Sequence, residues 1–342
     1  MDSRPRQTRK KVTLKDISIA TGFSVNTISH ALADKPDISA STKQLIQDKA
    51  AELGYVGNSS ASFLRSGISK TVAVILGDVS NPHFAFMAKE IENYLQKAGY
   101  SSFFMNTSEN EQIERSCIRL ALNRNVDGII ICPTQQSASN VRFILNSGVP
   151  CVLIGRYFKE LSTNYVTCND SKGGYLAGKH LVARGHRQIM YVNTYYHNSS
   201  SEDRLSGFHQ ALEEAPFPVS VYETNFDEQG NYLDDIFPAD PNAPHPTAMV
   251  AFNDVIAWDV ICRMQSRGLL YPKNLSMIGF DNLHAYLPLP FPLTSISSSK
   301  ITLSRKAVER LLEQIQHPGS PCSGLILDVE LIDRGSVLDL TR

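Results

Sequence analysis

Apolar residues follow two patterns along most of the chain. Short runs of consecutive apolar residues favour buried β-strands, and longer stretches with an apolar residue at every third or fourth position favour helices. The first run, at 71–76, is followed by a helical stretch with Phe84, Met87 and Ile91 on one face. Further runs, each followed by a helical stretch or a turn, occur at 128–132, 151–154, 188–192, 248–251 and 276–280. Apolar strands that alternate with helices predict an α/β fold with a doubly wound parallel sheet.

The number of these runs predicts more than one sheet. A chain of 342 residues is longer than one hydrophobic core usually organises. We therefore expect two similar α/β lobes in residues 71–342. Sheets of this kind bind ligands at the carboxyl ends of their strands, which predicts a binding cleft between the two lobes.

The beginning of the chain shows a helical pattern instead. Thr13 and Asp16 have the spacing of a capping box at the start of a helix, and Gly22 supplies the left-handed turn that ends it. Ser24 then caps a second helix at 25–32, whose apolar residues lie on one face. Two short helices around a glycine turn are the helix-turn-helix unit, whose second helix enters the major groove of DNA.

The exposed face of the predicted second helix carries polar side chains suited to the recognition of bases. Four of them have a size that reaches base edges, namely Asn26, Thr27, Ser29 and His30. A third helix, at 41–53, closes the core. A small helical cap without a ligand is the alternative, and it leaves the polar second helix and the basic arm at 4–11 unexplained.

Charge is divided unevenly along the chain. Residues 1–70 carry 11 Lys or Arg and 6 Asp or Glu, a net charge of +5, whereas the remaining residues carry a net charge of −6. A basic head on an acidic body indicates that the head meets a polyanion such as nucleic acid and that the body does not.

Composition excludes several other classes of protein. The chain is 42% hydrophobic and 20% charged, which is ordinary for a globular protein. No apolar run approaches the ~18 residues of a membrane span, and the charged N-terminus lacks the apolar segment of a signal peptide. The six cysteines form no C-x-x-C pair. We therefore expect a cytoplasmic protein with no membrane partner, disulfide scaffold, metal site or cofactor.

Several segments carry a family resemblance. In the head, residues 13–17, 24–29, 31–32 and 51–55 resemble the head-piece of the lactose/galactose-repressor (LacI/GalR) family of bacterial transcriptional regulators. In the body, short motifs in family order, such as Gly279-Phe280-Asp281, extend the resemblance over residues 12–340. The resemblance implies a helix-turn-helix head-piece and a two-lobed body similar to a periplasmic sugar-binding protein.

The resemblance also implies domain boundaries. The head-piece is expected at 1–57, the hinge at 58–70, and the effector-binding and dimerisation body at 71–342. Three crossovers divide the body into an N-lobe near 71–166 and 297–325 and a C-lobe near 167–296 and 326–342.

The hinge of this family folds into a helix on operator DNA and inserts a leucine into the minor groove. Leu64 matches that leucine, which unstacks a base step and kinks the duplex. Two departures concern specificity, because His30 stands where the family usually has arginine and Gly57 where it usually has proline. An arginine–guanine contact is therefore not implied. The residues expected at the DNA are Thr13, Ser24, Val25, Asn26, Thr27, Ser29, His30, Asn58, Ala61 and Leu64.

An effector site is implied residue by residue. Arg204 matches an arginine that hydrogen-bonds the effector, and Phe226 matches an aromatic residue that stacks on a sugar or base ring. The expected effector-binding residues are His83, Phe84, Arg156, Asn169, Arg204, Phe226, Asn253 and Asp281. As alternatives, Phe84 and Phe226 belong to the core and Asp281 caps a turn. Cys168 and Gly155 stand where the family usually has aspartates, which implies fewer hydrogen-bond acceptors.

Rival functions explain less of the chain. A solute-binding protein accounts for the body but has no use for the head, and a sugar-modifying enzyme needs a carboxylate pair or metal cluster that the sequence does not offer. Residues 173–180 nearly match a phosphate-binding loop, but His180 replaces the required hydroxyl. We therefore expect a repressor, not an enzyme, that binds palindromic double-stranded operator DNA as a homodimer. Its effector is expected to be sugar-like, with a sugar phosphate, nucleobase or partner protein left open.

Overall fold

The computed structural model describes residues 12–56, 67–227, 229–237 and 245–341. The chain divides into two compact units, Met1–Ser69 and Lys70–Arg342. The described part of the first unit is helical, and that of the second contains two sheets with helices packed against them.

The first unit is built from three helices around a small apolar core. The side chains of Ile17, Ile28 and Ile46, one from each helix, have no exposed surface and lie in one cluster. Full burial of each such side chain contributes about 1.5–3 kcal/mol to the stability of the unit. The helices are α1 (Leu14–Thr21), α2 (Val25–Leu32) and α3 (Ala40–Glu52).

Local hydrogen bonds set the bounds of the first helix. Oδ2 of Asp16 accepts hydrogen bonds from the backbone nitrogen and the hydroxyl of Thr13, at 2.8 and 2.7 Å. Gly22, with φ +78°, ends the helix in the left-handed region that glycine adopts without strain. The predicted capping box and glycine turn are both confirmed.

Serine caps begin the next two helices. Oγ of Ser24 accepts from the backbone nitrogen of Thr27 at 3.1 Å, and Oγ of Ser39 accepts from that of Thr42 at 3.3 Å. The bounds predicted for α2 are confirmed. Helix α3 begins at Ala40, one residue before its predicted start, because Ser39 serves as its cap.

The first sheet of the second unit has six strands in the order β11-β5-β4-β3-β1-β2, and every neighbouring pair is parallel. Its strands are β1 (Thr71–Leu76), β2 (Ser101–Asn106), β3 (Gly128–Ile131), β4 (Cys151–Ile154), β5 (Asn164–Cys168) and β11 (Gly324–Leu327). The central strands are apolar throughout because helices cover both faces of the sheet.

The second sheet repeats this plan with the order β12-β10-β9-β8-β6-β7, and β12 pairs antiparallel with β10. Its strands are β6 (Gln188–Asn193), β7 (Ser220–Asn225), β8 (Ala248–Ala251), β9 (Ser276–Phe280), β10 (Thr294–Ser297) and β12 (Glu330–Ile332). The two sheets are the two predicted lobes.

Helices alternate with the strands in both lobes. They are α4 (Pro82–Lys97), α5 (Glu111–Asn123), α6 (Ser139–Asn146), α7 (Asp170–Ala183), α8 (Ser199–Glu213), α9 (Tyr232–Ile236), α10 (Asp254–Ser266) and α11 (Lys300–Gln316). Alternate residues of a strand enter the cores on opposite faces of the sheet, as Val74 and Ile75 of β1 do. The predicted α/β fold with parallel sheets is confirmed.

The chain passes between the lobes at three places. It leaves the first sheet after β5, returns after β10 to form α11 against the first sheet, and leaves again after β11 to add β12 to the second sheet. Within the described ranges, no helix is both long and apolar enough to cross a membrane.

Candidate functional site

Helix α2 separates an apolar face from a polar one. Ile28 and Ala31 have no exposed surface and hold the helix against the rest of the first unit. Asn26 is exposed, and Val25 keeps 44% of its surface exposed at the start of the helix. A helix anchored in this way presents hydrogen-bonding side chains on a rigid support, which is the arrangement that reads base edges in a major groove.

Two residues predicted at the DNA have structural tasks in the first unit. The hydroxyl of Thr13 donates to Asp16 in the capping box, and Oγ of Ser24 accepts from the backbone of α2. The hydroxyls of Ser24 and Thr27 also lie 2.8 Å apart. Asn58, Ala61 and Leu64 lie outside the described residues, so the predicted hinge contacts stay predictions.

His30 has a partner that the sequence analysis missed. Its Nδ1 lies 2.6 Å from Oδ2 of Asp37, in the loop between α2 and α3. The hydrogen bond from His30 holds the pKa of Asp37 below its usual range, so this carboxylate stays ionised at neutral pH. The two residues are seven positions apart, but α2 ends at Leu32, so no helical spacing brings Asp37 to His30.

A cavity of about 350 Å³ lies between the two sheets, a volume typical of small-molecule sites. The first lobe contributes residues near the carboxyl ends of its strands, including His83, Phe84, Glu109, Arg156 and Cys168, and Asp170 follows at the start of α7 in the second lobe. The second lobe contributes Tyr195, Tyr196, Arg204, Phe226, Phe252, Asn253 and Asp281. This is the place at which parallel α/β sheets bind ligands.

Arg204 lies at the centre of the polar part of the cavity. Its Nε donates to Oδ1 of Asp170 at 2.7 Å, and its Nη1 donates to the backbone oxygen of Phe252 at 2.6 Å. The rings of Phe252 and Phe280 lie on the guanidinium, with centroids 4.7 and 4.5 Å from its carbon. These contacts fix the orientation of the guanidinium fork.

Two glycines allow Asp170 and Arg204 to meet. Asp170 begins α7 and Arg204 lies on α8, and the two helices cross in close contact. A Cβ atom on Gly174 would lie 1.8 Å from the backbone oxygen of Arg204, and one on Gly207 would lie 1.8 Å from that of Ser171. Side chains at either position would force the two backbones apart.

Asp281 links the lobes across the cavity. Its Oδ1 lies 3.1 Å from Nδ1 of His83, which belongs to the first lobe, and 4.0 Å from Nη2 of Arg204. The buried ammonium of Lys300, at the start of α11, donates to its backbone oxygen. Burial opposes ionisation of Asp281, but the charges of His83, Lys300 and Arg204 outweigh it and hold its pKa below the usual range.

Beneath Asp281 lies a second buried carboxyl group. Asp254 accepts hydrogen bonds from Oγ of Ser295 and from the backbone nitrogen of Leu283, both at 2.7 Å. Burial, together with the neighbouring charge of Asp281, raises the pKa of Asp254 to about 7. Through its two hydrogen bonds, Asp254 supports the turn in which Asp281 adopts a φ of +93°, a conformation that non-glycine residues rarely adopt.

Arg156 pairs with a carboxylate on its own lobe. Its Nη1 and Nη2 donate to Oε2 and Oε1 of Glu109 at 2.7 and 2.8 Å, and Nη1 also donates to the backbone oxygen of Pro133 at 2.9 Å. Each residue of the pair is 7% exposed. Two parallel charge-assisted hydrogen bonds between buried groups form a strong, geometrically defined pair.

Seven of the eight residues predicted for effector binding line the cavity, and Asn169 does not. Its side chain accepts from the backbone nitrogen of Lys172 at 3.0 Å and caps α7. Asn253 lines the cavity while its Oδ1 caps α10 by accepting from Ile256. Phe84 is 8% exposed and belongs to the core as well as to the cavity wall.

Glu109 and Asp170 line the cavity and were not predicted. They supply carboxylate acceptors to a cavity that was expected to have fewer of them, because Cys168 and Gly155 replace the family aspartates. Asp170 directly follows the predicted Asn169, just after the end of β5, so its position in the sequence could have identified it as a cavity residue. Glu109 lies in a loop, three residues beyond β2, and has a φ of +55°. No sequence pattern predicts where a side chain in such a loop points.

Family models match both parts of the chain. Residues 13–58 match the model of bacterial regulatory proteins of the lacI family, and residues 179–337 match that of the periplasmic binding protein-like domain. The first match contains the helix-turn-helix unit, and the second covers most of the second lobe.

Known proteins match almost the whole chain. The HTH-type transcriptional repressor PurR of Glaesserella parasuis is 28% identical, with 96% of this chain and 99% of that protein covered. A structure of the lac repressor dimer bound to operator and an anti-inducer has a TM-score of 0.81 at 23% identity and covers 96% of this chain and 100% of that one. A LacI family transcriptional regulator of Enterococcus faecalis with bound ribose has a TM-score of 0.68 at 28% identity, covering 79% and 100%.

These matches agree with the order of elements in the structure. A helix-turn-helix unit precedes two parallel sheets with a cavity at their carboxyl ends. The expectation of a regulator, not an enzyme, is confirmed by the relatives, which are transcriptional repressors. The chain belongs to the LacI family of bacterial regulatory proteins.

Proposed function

We propose that this protein is a transcriptional repressor that binds operator DNA through α2 and responds to a small-molecule effector in the interlobe cavity. The observation that carries this function is the presence, in one chain, of a helix-turn-helix unit with an exposed polar helix and a two-lobed unit with a cavity of about 350 Å³. A DNA-binding unit needs no ligand cavity and a ligand-binding unit needs no DNA-binding helix, so their presence in one chain favours a ligand-controlled regulator.

The DNA contacts are assigned to the polar face of α2. Asn26, Thr27, Ser29 and His30 read base edges, while Thr13 and Ser24 place backbone groups near phosphates. Val25 supplies an apolar contact that suits a thymine methyl group. The hinge, with Asn58, Ala61 and Leu64, adds minor-groove contacts in this proposal.

The effector contacts are assigned to the cavity. Arg204 and Asp281 supply a donor and an acceptor at its centre, and Phe226 supplies a flat apolar face for a ring. The regulator of Enterococcus faecalis carries bound ribose, which supports a sugar-like effector here.

The assembly is a homodimer that binds a palindromic operator. One head presents a single short recognition helix, and a two-fold dimer doubles its contacts with DNA. The lac repressor structure with a similar fold is a dimer bound to operator, which supports this assignment. A protein that binds operator DNA acts in the bacterial cytoplasm, which is the location we propose.

Domain boundaries follow the same proposal. The head-piece occupies 1–57, the hinge 58–70 and the body 71–342. The division of the chain into units at Ser69 and Lys70 supports the boundary between hinge and body.

A binding experiment with the full chain tests this function. We expect selection from random duplexes to yield a palindromic site, and fluorescence anisotropy to show that its affinity falls steeply with salt. A protein that neutralises 6–10 phosphates loses about 10³–10⁵ in affinity between roughly 50 and 200 mM salt. Absence of saturable duplex binding, or affinity independent of salt, contradicts the proposal and favours a solute-binding protein.

The effector is sought in parallel by thermal shift. A ligand at ~100 times its dissociation constant adds about 2.7 kcal/mol to the free energy of unfolding. A compound that stabilises the chain is then added to the anisotropy assay, where we expect it to change the operator affinity. A stabilising compound without any effect on operator affinity contradicts the regulatory part of the proposal.

A further inference from the structure

Three carboxylates of the interlobe cavity each have a basic side chain beside them. Glu109 binds Arg156, Asp170 binds Arg204, and Asp281 lies beside His83. We propose that the cavity selects an uncharged effector and excludes phosphorylated or carboxylated compounds, with Glu109 as the residue that enforces the exclusion. This inference rests on the proposed function, since it names the chemical class of the effector.

Acidic groups outnumber basic ones in the cavity wall. Among the described residues that line it, the basic side chains other than His83 are Arg156 and Arg204. Its carboxylates are Asp78, Glu109, Asp170, Asp259 and Asp281. A phosphate group brought into this cavity meets more carboxylates than cationic side chains in the wall. Glu109, Asp170 and Asp281 are buried, and repulsion from buried charges is weakly screened.

Arg156 is the cation that an anionic effector would need, and Glu109 already occupies its fork. Both terminal nitrogens donate to the two carboxylate oxygens, and Nη1 has Pro133 as a further acceptor. An anion that displaced Glu109 would leave a buried carboxylate without its partner, which is strongly unfavourable.

The fold is adapted to this pair. The loop that carries Glu109 places it at φ +55°, in the left-handed region. Its Oε1 lies so close to Gly77 that a Cβ atom there would come within 2.2 Å of it. The carboxylate is therefore held against the end of β1 and directed at Arg156, rather than free to swing away when a ligand enters.

Arg204 is equally unavailable to an anion. Asp170 and the carbonyl of Phe252 take its Nε and Nη1, and Asp281 lies 4.0 Å from its Nη2. A hydroxyl or carbonyl oxygen accepts a hydrogen bond from Nη2 without conflict. A phosphate at the same place approaches the carboxylates of both Asp170 and Asp281.

Helix N-termini at the cavity do not compensate for this. The first turns of α4 and α10 face the cavity, and helix N-termini commonly bind phosphate. The side chain of Asn81 accepts from the backbone nitrogen of His83 at 2.9 Å, and that of Asn253 accepts from Ile256 at 2.9 Å. Each asparagine cap already satisfies one of the amide groups that would otherwise receive an anion.

The remaining surface suits an uncharged ring. Five aromatic side chains line the cavity, namely Phe84, Tyr195, Tyr196, Phe226 and Phe252. They offer flat apolar faces, while the paired carboxylates keep oxygen lone pairs that accept from hydroxyl or N–H groups. A free cation is disfavoured at Glu109, Asp170 and Asp281 as well, because each of these carboxylates already lies beside an arginine. Neutral sugars, nucleosides and nucleobases have the required chemistry.

Matched neutral and charged compounds test the selectivity of the full chain by isothermal titration calorimetry. The probes are ribose and ribose 5-phosphate, glucose, glucosamine and glucose 6-phosphate, adenosine and its monophosphate, and inorganic phosphate. We expect binding within the neutral members and at least 10-fold weaker or absent binding of every charged counterpart. A phosphorylated or amino compound that binds at least as tightly as its neutral parent overturns the proposal.

Variants of the ion pair test the role of Glu109 even where no neutral probe binds. Glu109→Gln frees the guanidinium of Arg156, and we expect the variant to bind inorganic phosphate or a sugar phosphate at least 10-fold more tightly than wild type. Glu111→Gln is the control, since it removes the same charge from the neighbouring helix outside the cavity wall. It should leave phosphate binding unchanged.

A double variant guards against misfolding and non-specific charge effects. The double variant Glu109→Gln with Arg156→Gln has the wild-type net charge but no free guanidinium. We expect it to lack the phosphate binding that Glu109→Gln alone gains. If Glu109→Gln folds by circular dichroism and gains no phosphate binding, Glu109 does not enforce the exclusion. If it fails to fold, the wild-type comparison of neutral and charged probes decides the proposal. Operator binding measured on the same samples separates failure of this inference from failure of the proposed function.

Discussion

The Nδ1 atom of His30, in the last turn of the recognition helix, lies 2.6 Å from Oδ2 of Asp37 in the loop that follows. This contact holds Nδ1 within the protein, so Nε2 is the ring nitrogen available to contact DNA. A histidine oriented in this way presents one hydrogen-bonding atom of defined direction, unlike the forked donor set of an arginine.

Exchange of His30 for arginine is therefore expected to change which operator is preferred. The guanidinium of His30→Arg favours a bidentate contact with guanine, and a good contact of this kind discriminates by about 1–3 kcal/mol against the wrong base. Selection from random duplexes, performed with wild type and variant, measures the two consensus sequences. Recovery of the same consensus for both proteins would show that residue 30 contacts phosphate only.

Removal of the carboxylate of Asp37 should weaken the orientation of His30 while leaving the histidine itself in place. Asp37→Asn loses the charge-assisted hydrogen bond that orients the ring of His30. We expect a roughly 2- to 10-fold loss of discrimination at one operator position, the range of a net hydrogen bond of about 0.5–1.5 kcal/mol. Anisotropy with single-base operator variants measures it. Asp34→Asn, in the same loop but paired with Lys43 instead, is the control and should keep wild-type discrimination.

The glycine crossing of α7 and α8 predicts a stability defect coupled to loss of effector binding. In Gly174→Ala, the new methyl group collides with the backbone of Arg204, so the helices separate and Asp170 loses its partner. We expect a loss of about 2 kcal/mol or more, measured by urea unfolding. Ser206→Ala, at an exposed position of α8, should stay within about 0.5 kcal/mol of wild type. A stable Gly174→Ala variant with unchanged effector binding would contradict the assigned role of this crossing.

Arg204 is best tested by lysine. Alanine would leave Asp170 and Asp281 buried without their partner, at a cost of about 3–5 kcal/mol, and would confuse binding with folding. Arg204→Lys keeps the charge but cannot serve Asp170, the carbonyl of Phe252 and an effector together. We expect effector affinity to fall at least 10-fold, about 1.4 kcal/mol, while operator affinity without effector is unchanged.

Calorimetry and anisotropy measure these two affinities of the Arg204 variant. Arg187→Lys provides the control, because Arg187 is an exposed arginine of the same lobe that stacks on Phe217. It should bind both ligands as wild type does. Wild-type effector affinity in Arg204→Lys would remove Arg204 from the effector site.

Asp254 predicts a pH dependence of stability. Burial raises its pKa from 3.8 to about 7, so between these values the folded chain binds a proton that the unfolded chain lacks. The free energy of unfolding therefore rises as pH falls through 7. Above pH 7 the buried carboxyl group of Asp254 is ionised, and the cost of burying its charge lowers the free energy of unfolding by its full amount. One pKa unit corresponds to about 1.4 kcal/mol, which gives a change of about 2–3 kcal/mol between roughly pH 8 and pH 5.

Asparagine at position 254 isolates this contribution. Asp254→Asn keeps a polar group beside Ser295 and the backbone of Leu283 but cannot ionise. We expect the variant to exceed wild type in stability near pH 8 and to lose that advantage near pH 5, measured by urea unfolding across pH. Asp234→Asn, at an exposed position paired with Arg267, should follow the wild-type profile. Parallel pH profiles of wild type and Asp254→Asn would show that Asp254 is ionised throughout.

The sequence by itself determined the local elements and the class of the fold. Strands β1, β4, β8 and β9 and helix α2 have the bounds that their apolar patterns predict. The reason is physical, because burial on both faces of a parallel sheet demands uninterrupted apolar runs, and a helix end demands a capping side chain or a left-handed glycine. These requirements act over a few residues and are visible in a single sequence.

The ion pairs of the cavity were decided by the tertiary structure alone. Glu109 and Arg156 are 47 residues apart and meet because strand order brings the loops after β2 and β4 to one edge of the sheet. Asp170 and Arg204 meet because two glycines let α7 and α8 cross closely. Spacing along the chain carries no record of such contacts, since side-chain direction and distance in a loop depend on which elements pack beside it. The local pattern therefore predicts where the cavity lies, and only the packed structure decides which of its charges remain available to a ligand.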